Sequence, residues 1–166
     1  MNLSTQISPI SISNFFVNKA ISEGVELTPM KLLKLVYLAH GWHLGLNNAT
    51  PLISEAVQAW KFGPVINSVY HDFKSFKDSQ ITSLGFDPTT LTYPILSDTQ
   101  KTPLLLKVWD VYKNWTGLEL SALTHEDGSP WDTVWNKQGG KNKQGAIIPN
   151  DLIADYYMKK SGKSNG

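Results

Sequence analysis

Apolar residues recur at helical spacing through most of the chain, and the densest stretch is "PMKLLKLVYLAHGWHL" at 29–44. There Leu32, Leu33, Leu35, Val36, Tyr37, Leu38, Ala39, Trp42 and Leu44 cover almost the whole circumference, which predicts a helix at the centre of the fold. Its polar residues fall on two strips, Lys31 with Lys34 and, opposite, His40 with His43. Two small polar openings are expected from them, and no continuous wet face. Upstream, Ile12, Phe15, Phe16 and Lys19 line one side of a helix over 9–22, ended by Gly24 as a left-handed C-terminal residue. Val65, Val69, Phe73 and Phe76, widened by Ile66 and Tyr70, predict a helix over 64–76. Leu105, Val108, Trp109 and Tyr112 predict another over 103–115, stopped by Gly117, and shorter helices follow over 118–124, 130–136 and 149–158.

The extended signals are fewer. "PLISEAVQAWKF" at 51–62 alternates in part before breaking at Gly63-Pro64, so a short extended segment or edge strand is expected around 52–60. Residues 77–101 lack a helical period and read as a long connection in which 91–96 forms a second short strand. "NKQGGKNKQG" is polar and glycine-rich, which predicts a mobile loop. A hydroxyl residue precedes proline at Ser8-Pro9, Thr28-Pro29, Thr102-Pro103 and Ser129-Pro130, where the hydroxyl can cap a free N–H and proline takes the first helical position. The expected fold class is therefore mainly α: a compact single-domain helical fold with one or two short extended segments, around 52–60 and 91–96.

Composition narrows the chemistry. A chain of 166 residues is long enough for one good core, so one domain over 1–160 is expected, followed by a flexible basic tail at 161–166. The absence of cysteine removes disulfides, thiolate zinc sites and thiol nucleophiles. No signal peptide or membrane-spanning stretch is read, and a cytoplasmic location is expected. All fifteen basic residues are lysines, so no guanidinium fork exists to read guanine edges, and sequence-specific nucleic-acid binding is disfavoured. The body is mildly acidic, with nine lysines against twelve acids over 1–136, whereas 137–166 carries six lysines and two acids.

Sharper chemistry finds little support. His40 and His43 could share a metal-ligand face with His71-Asp72 or with His125-Glu126-Asp127, but no ligand motif is complete and no metal is expected. A nucleophile elbow and a phosphate-cradling glycine loop are both missing, so no catalytic residues and no cofactor are assigned. "ALTHEDGSPWDTVW" at 122–135 reads as a helix–turn–helix corner in the plain geometric sense: Asp127-Gly128 turns, Ser129-Pro130 starts the next helix, and Trp131 and Trp135 share its face. Of six tryptophans, Trp42, Trp60 and Trp109 fall in buried patterns, while partial exposure is expected among Trp115, Trp131 and Trp135.

Three blocks, "LTPMKLLKLVYLAHGWHLGL" at 27–46, "PLISEAVQAWKFGPVINSVYHDFK" at 51–74 and "LSALTHEDGSPWDTVW" at 120–135, resemble the Panacea, or SocA-like antitoxin, domain in order and spacing, and "IIPNDLIADYY" resembles its closing helix. The resemblance implies an antitoxin that neutralises a toxin encoded next to it by direct protein contact, or as a proteolytic adaptor to the ClpXP protease. The alternative is a phage or mobile-element-associated protein-binding domain without a toxin partner. A third reading places a small ligand at the His40/His43 opening. For the toxin-binding surface, "WKFGPV" and the 125–131 corner nominate Trp60, Phe62, Tyr70, His71, His125 and Trp131. Lys61 and the extended segment beside it could also offer a strand edge.

Overall fold

The computed structural model describes residues 6–97 and 100–162. The fold is built around the helix that is apolar on every side, α2 (Pro29–Leu46), where Leu32, Leu35, Val36, Tyr37, Leu38, Ala39 and Leu44 are all fully buried. Packed on it are α1 (Pro9–Glu23), α4 (Thr102–Tyr112), α5 (Gly117–Thr124) and α7 (Asn150–Lys160). The α2–α7 crossing is close because Gly41 and Gly45 present no side chain to Tyr157. A Cβ at Gly41 would lie 2.6 Å from the Tyr157 ring, and one at Gly45 would lie 2.7 Å from the Tyr157 backbone. No helix among the described residues is long and apolar enough to cross a membrane.

Three of the four hydroxyl–proline sites are caps. Ser8, Thr28 and Ser129 accept hydrogen bonds from the N–H groups of Ile10, Lys31 and Asp132. Thr102 is the exception, since α4 starts at Thr102 itself after Lys101 and has no side-chain cap. Gly24 ends α1 in the left-handed region at φ 67°, as expected. Gly117 does the opposite of its expected role and opens α5, because Thr116 before it accepts from the Glu119 N–H and caps the new helix.

The sheet corrects the extended assignments. It has three antiparallel strands in the order β2-β1-β3: β1 (Val57–Trp60), β2 (Gly63–Val65) and β3 (Ala146–Ile148). Trp60 faces Gly63 across the first pair, and Val57 faces Ile148 across the second. The expected strand near 52–60 exists, but it lies in the middle of the sheet; the proline sits in edge strand β2, where its missing N–H is tolerated. The helix expected from 64 therefore starts only at Asn67 as α3 (Asn67–Phe73) and tightens into a 3-10 turn at Lys74–Phe76. Residues 91–96 form no strand; a single bridge joins Asp87 to Thr92. The segment read as a mobile loop contains a 3-10 turn at Gly140–Asn142 and leads straight into β3.

The long connection after α3 is held at its start by the Leu27 backbone bonded to Gln80 and Ile81, at Asp87 by Ser8, and further along by one buried side chain. Asn14 on α1 donates to the carbonyls of Gly85 (3.0 Å) and Pro94 (2.9 Å) and accepts from the Gly85 N–H (2.6 Å). The helix expected over 130–136 begins as α6 (Pro130–Asp132) and continues as a π-helical turn over Thr133–Lys137. Of the tail expected at 161–166, residues 163–166 lie outside the described residues.

Candidate functional site: the aromatic hairpin and its supporting corner

The chain reverses between β1 and β2 through Lys61 and Phe62, and this two-residue tip is the most exposed apolar point of the sheet. Phe62 is 60% exposed, with the Lys61 ammonium 5.6 Å from its ring centre. Gly63 then takes φ 120°, which a side chain would disfavour. The same glycine lets the backbone pass over Lys34, since a Cβ there would lie 3.1 Å from the Lys34 Nζ. Trp60 packs edge-on against Tyr70 of α3 at 4.8 Å, and Tyr70 in turn meets the exposed His71 at 5.3 Å.

The 122–135 corner, together with Ser121 just before it on α5, supports the tip from beneath. Ser129 caps Asp132, and the Asp132 carboxylate accepts back from the Gly128 N–H at 2.9 Å, with Gly128 at φ 81°. Held this way, the Trp131 indole donates to the Trp60 carbonyl at 2.6 Å and stacks on Trp135 at 5.6 Å. The Ser121 hydroxyl donates to the Phe62 carbonyl at 2.6 Å. Its single proton is thereby spent, so the His125 Nδ1–H, 3.3 Å away, is the donor in their contact. His125 also lies 5.1 Å from Trp131. The corner thus engages two backbone carbonyls of the hairpin and fixes its pose.

All six nominated residues belong to this one assembly, at different depths. Phe62 and His71 are exposed, Trp60, Tyr70 and His125 are half-buried, and Trp131 is only 5% exposed. Partial exposure was expected among Trp115, Trp131 and Trp135, and Trp115 and Trp135 show it; the Trp131 indole is buried, with its N–H satisfied inside by the carbonyl of Trp60. Trp109 is fully buried as expected, whereas Trp42 and Trp60, also expected in the core, are only half-buried.

Two clefts flank the tip. One, of about 480 Å³, is lined by Met30, Leu33, Lys34, Trp60, Phe62 and Tyr70, with Lys61, Lys74 and Lys77 at its rim. The other, of about 700 Å³, runs past Gln58, His71, Trp135 and Lys143. Lys34 is the residue whose role the sequence left unassigned. It is buried, it donates to the Pro64 carbonyl at 3.0 Å, and desolvation lowers its pKa from 10.5 to about 7. The signal was a lysine in an otherwise apolar helix.

The remaining polar side chains of α2 are buried too. Lys31 is buried and donates to the carbonyls of Glu26 and Lys113. His40 is fully buried against the Asn150 side chain at 3.0 Å, and burial lowers its pKa to about 4. His43 donates from Nδ1 to the Thr50 carbonyl at 2.7 Å, leaving Nε2 to accept from Lys101 at 3.1 Å. The expected opening at His40 and His43 is thus a packed interior, in which His40 Nε2 and both His43 nitrogens have partners and His40 Nδ1 has none. No group of three metal-ligating side chains comes together among the described residues.

The family model described as "Antitoxin SocA-like, Panacea domain" matches residues 32–132, from α2 through the hairpin to the corner. The chain is also similar to antitoxin SocA of Caulobacter vibrioides (strain NA1000 / CB15N), at 27% identity over 152 residues, covering 89% of this chain and 80% of that relative. No solved structure matches the chain.

Proposed function

The chain belongs to the SocA-like Panacea antitoxin family, and from that premise we propose that it neutralises a toxin encoded by a neighbouring gene through direct contact with the hairpin face. The observation that carries this reading is the likeness to an antitoxin along 89% of the chain. The physical support is a large apolar side chain, Phe62, held in solvent on a tip whose backbone is fixed by donors from the corner. A fixed aromatic tip loses little entropy on binding, which is the property of an interface anchor. In this reading Trp60, Phe62, Tyr70 and His71 touch the toxin, while His125 and Trp131 hold the contact surface in place. The role is one of binding, without catalysis, in the cytoplasm where the toxin is made. Delivery to the ClpXP protease is its finer form, in which the same contact presents the toxin for degradation.

The test is growth of cells expressing the adjacent reading frame, with and without this chain supplied in trans, in hosts with and without ClpXP. Neutralisation by contact restores growth in both hosts; the adaptor form restores it only where the protease is present. A neighbour that is harmless alone, or arrest that this chain does not relieve, overturns the antitoxin reading and favours the phage-associated binding domain.

A further inference from the structure

The smaller cleft beside the hairpin has a one-sided charge. Lys34, Lys61, Lys74 and Lys77 line it, and no carboxylate does among the described residues. Nor are these amines neutralised from further away: the ion pairs among the described residues engage Lys19, Lys113, Lys137, Lys159 and Lys160. Four lysines gathered without a carboxylate stand out because acids outnumber lysines over 1–136. At the floor, Lys34 brings three donors into a buried position and has one protein acceptor, the Pro64 carbonyl. Beside this charge the cleft offers an apolar seat made by Met30, Leu33, Phe62 and Tyr70.

We propose that this cleft receives an acidic segment of the toxin, with an apolar side chain of that segment seated against Leu33 and Phe62 and its neighbouring carboxylates paired with the lysines. This rests on the antitoxin reading and adds to it the chemistry of the epitope. A carboxylate at the rim pairs with Lys61, Lys74 or Lys77, where exposed pairs steer the encounter. One that reaches the floor gives Lys34 the anionic acceptor it lacks. A protein carboxylate fits better than a nucleic-acid strand, because the cleft presents one exposed ring, Phe62, beside a half-buried edge-on Trp60–Tyr70 pair, whereas a strand needs a row of stacking faces for successive bases.

The experiment mixes the purified full chain with the product of the adjacent reading frame and applies a carbodiimide, which joins a lysine amine directly to a carboxylate with loss of water. Peptide mass spectrometry then locates the amide bonds. Cross-links should fall on Lys61, Lys74 or Lys77, joined to aspartate or glutamate next to an apolar residue of the partner. The triple variant Lys61→Gln, Lys74→Gln, Lys77→Gln should bind about 10- to 100-fold more weakly, as expected for three charge pairs lost together. The matched variant Lys107→Gln, Lys141→Gln, Lys159→Gln should bind like the parent. If a complex forms but its cross-links lie elsewhere and the first triple variant keeps full affinity, the cleft proposal is overturned while the antitoxin reading stands. Displacement of the partner by single-stranded RNA would also overturn it, by assigning the cleft to nucleic acid. Absence of any complex, together with failed growth rescue, overturns both.

Discussion

Lys34 brings an amine into the centre of the fold with one carbonyl as its acceptor, and that choice costs stability. The unfolded chain keeps the proton up to about pH 10.5, while the folded chain releases it near 7. Between those values the unfolded state binds more protons, so stability rises with pH across the window, and the penalty is complete below it. Lys34→Met keeps the length of the side chain and removes the charge. It should raise the free energy of unfolding by about 1–3 kcal/mol at pH 6, with the advantage shrinking toward pH 9.5. Paired urea titrations of variant and parent cancel the other titrating groups; an advantage that stays constant with pH would mean that the amine is not the source. Retaining a destabilising lysine fits a residue kept for binding. Asn14 shows the opposite economy, because one side chain makes three hydrogen bonds, two buried and one part-buried, to the connection after α3. Asn14→Ala should cost about 2–4 kcal/mol, since two carbonyls and one N–H are left in the interior. Chemical denaturation measures it, and a loss under about 0.5 kcal/mol would show that the connection is held by other means.

At the scale of elements, the α2–α7 crossing turns an ordinary rule around. Replacing glycine by alanine inside a helix normally stabilises by about 1 kcal/mol. At Gly45 the new methyl would stand 2.7 Å from the Tyr157 carbonyl carbon and 2.8 Å from the Met158 nitrogen, which are backbone atoms that move only if α7 moves. Overpacking of this kind costs about 1–3 kcal/mol, so Gly45→Ala should lower the melting temperature, with amide exchange accelerating first in α7. An unchanged or higher melting temperature would show that the crossing has slack. The two glycines, like the all-round apolar pattern of α2, were visible in the sequence, but the partner that approaches them was not. Caps at Ser8, Thr28 and Ser129 were legible because a hydroxyl and an N–H two or three residues apart are local chemistry. Gly117 misled because a glycine that follows Thr116 and precedes Glu119 can start a helix as well as end one. The sheet was largely hidden, since strands of three or four residues carry no measurable period and β3 joins β1 from far along the chain. Trp60, Phe62, Tyr70 and His71 were legible as neighbours on one short stretch. Their link to His125 and Trp131 runs through backbone carbonyls, which every residue has and no sequence pattern marks.

For the molecule as a whole, the corner and the hairpin form one unit joined by the Trp131–Trp60 carbonyl hydrogen bond, and in the proposed reading the hairpin binds while the corner supports it. The exposed Phe62 ring contributes little to folding and should contribute much to binding. Phe62→Ala should therefore change stability by less than about 0.5 kcal/mol while weakening the complex with the neighbouring gene product by about 1–3 kcal/mol. Trp131→Phe removes the indole donor but keeps an aromatic ring against Trp135. It should cost about 1–2 kcal/mol of stability, because a partly buried carbonyl loses its partner, and it should weaken the complex only by loosening the tip. If that is how Trp131 acts, its effect on affinity must shrink once Phe62 is already alanine, and the two losses will couple in a double-mutant cycle. Calorimetric titration of the parent, both single variants and the double variant decides between the alternatives. Strictly additive losses in affinity would separate the corner from the contact surface and leave Trp131 with a role in stability alone.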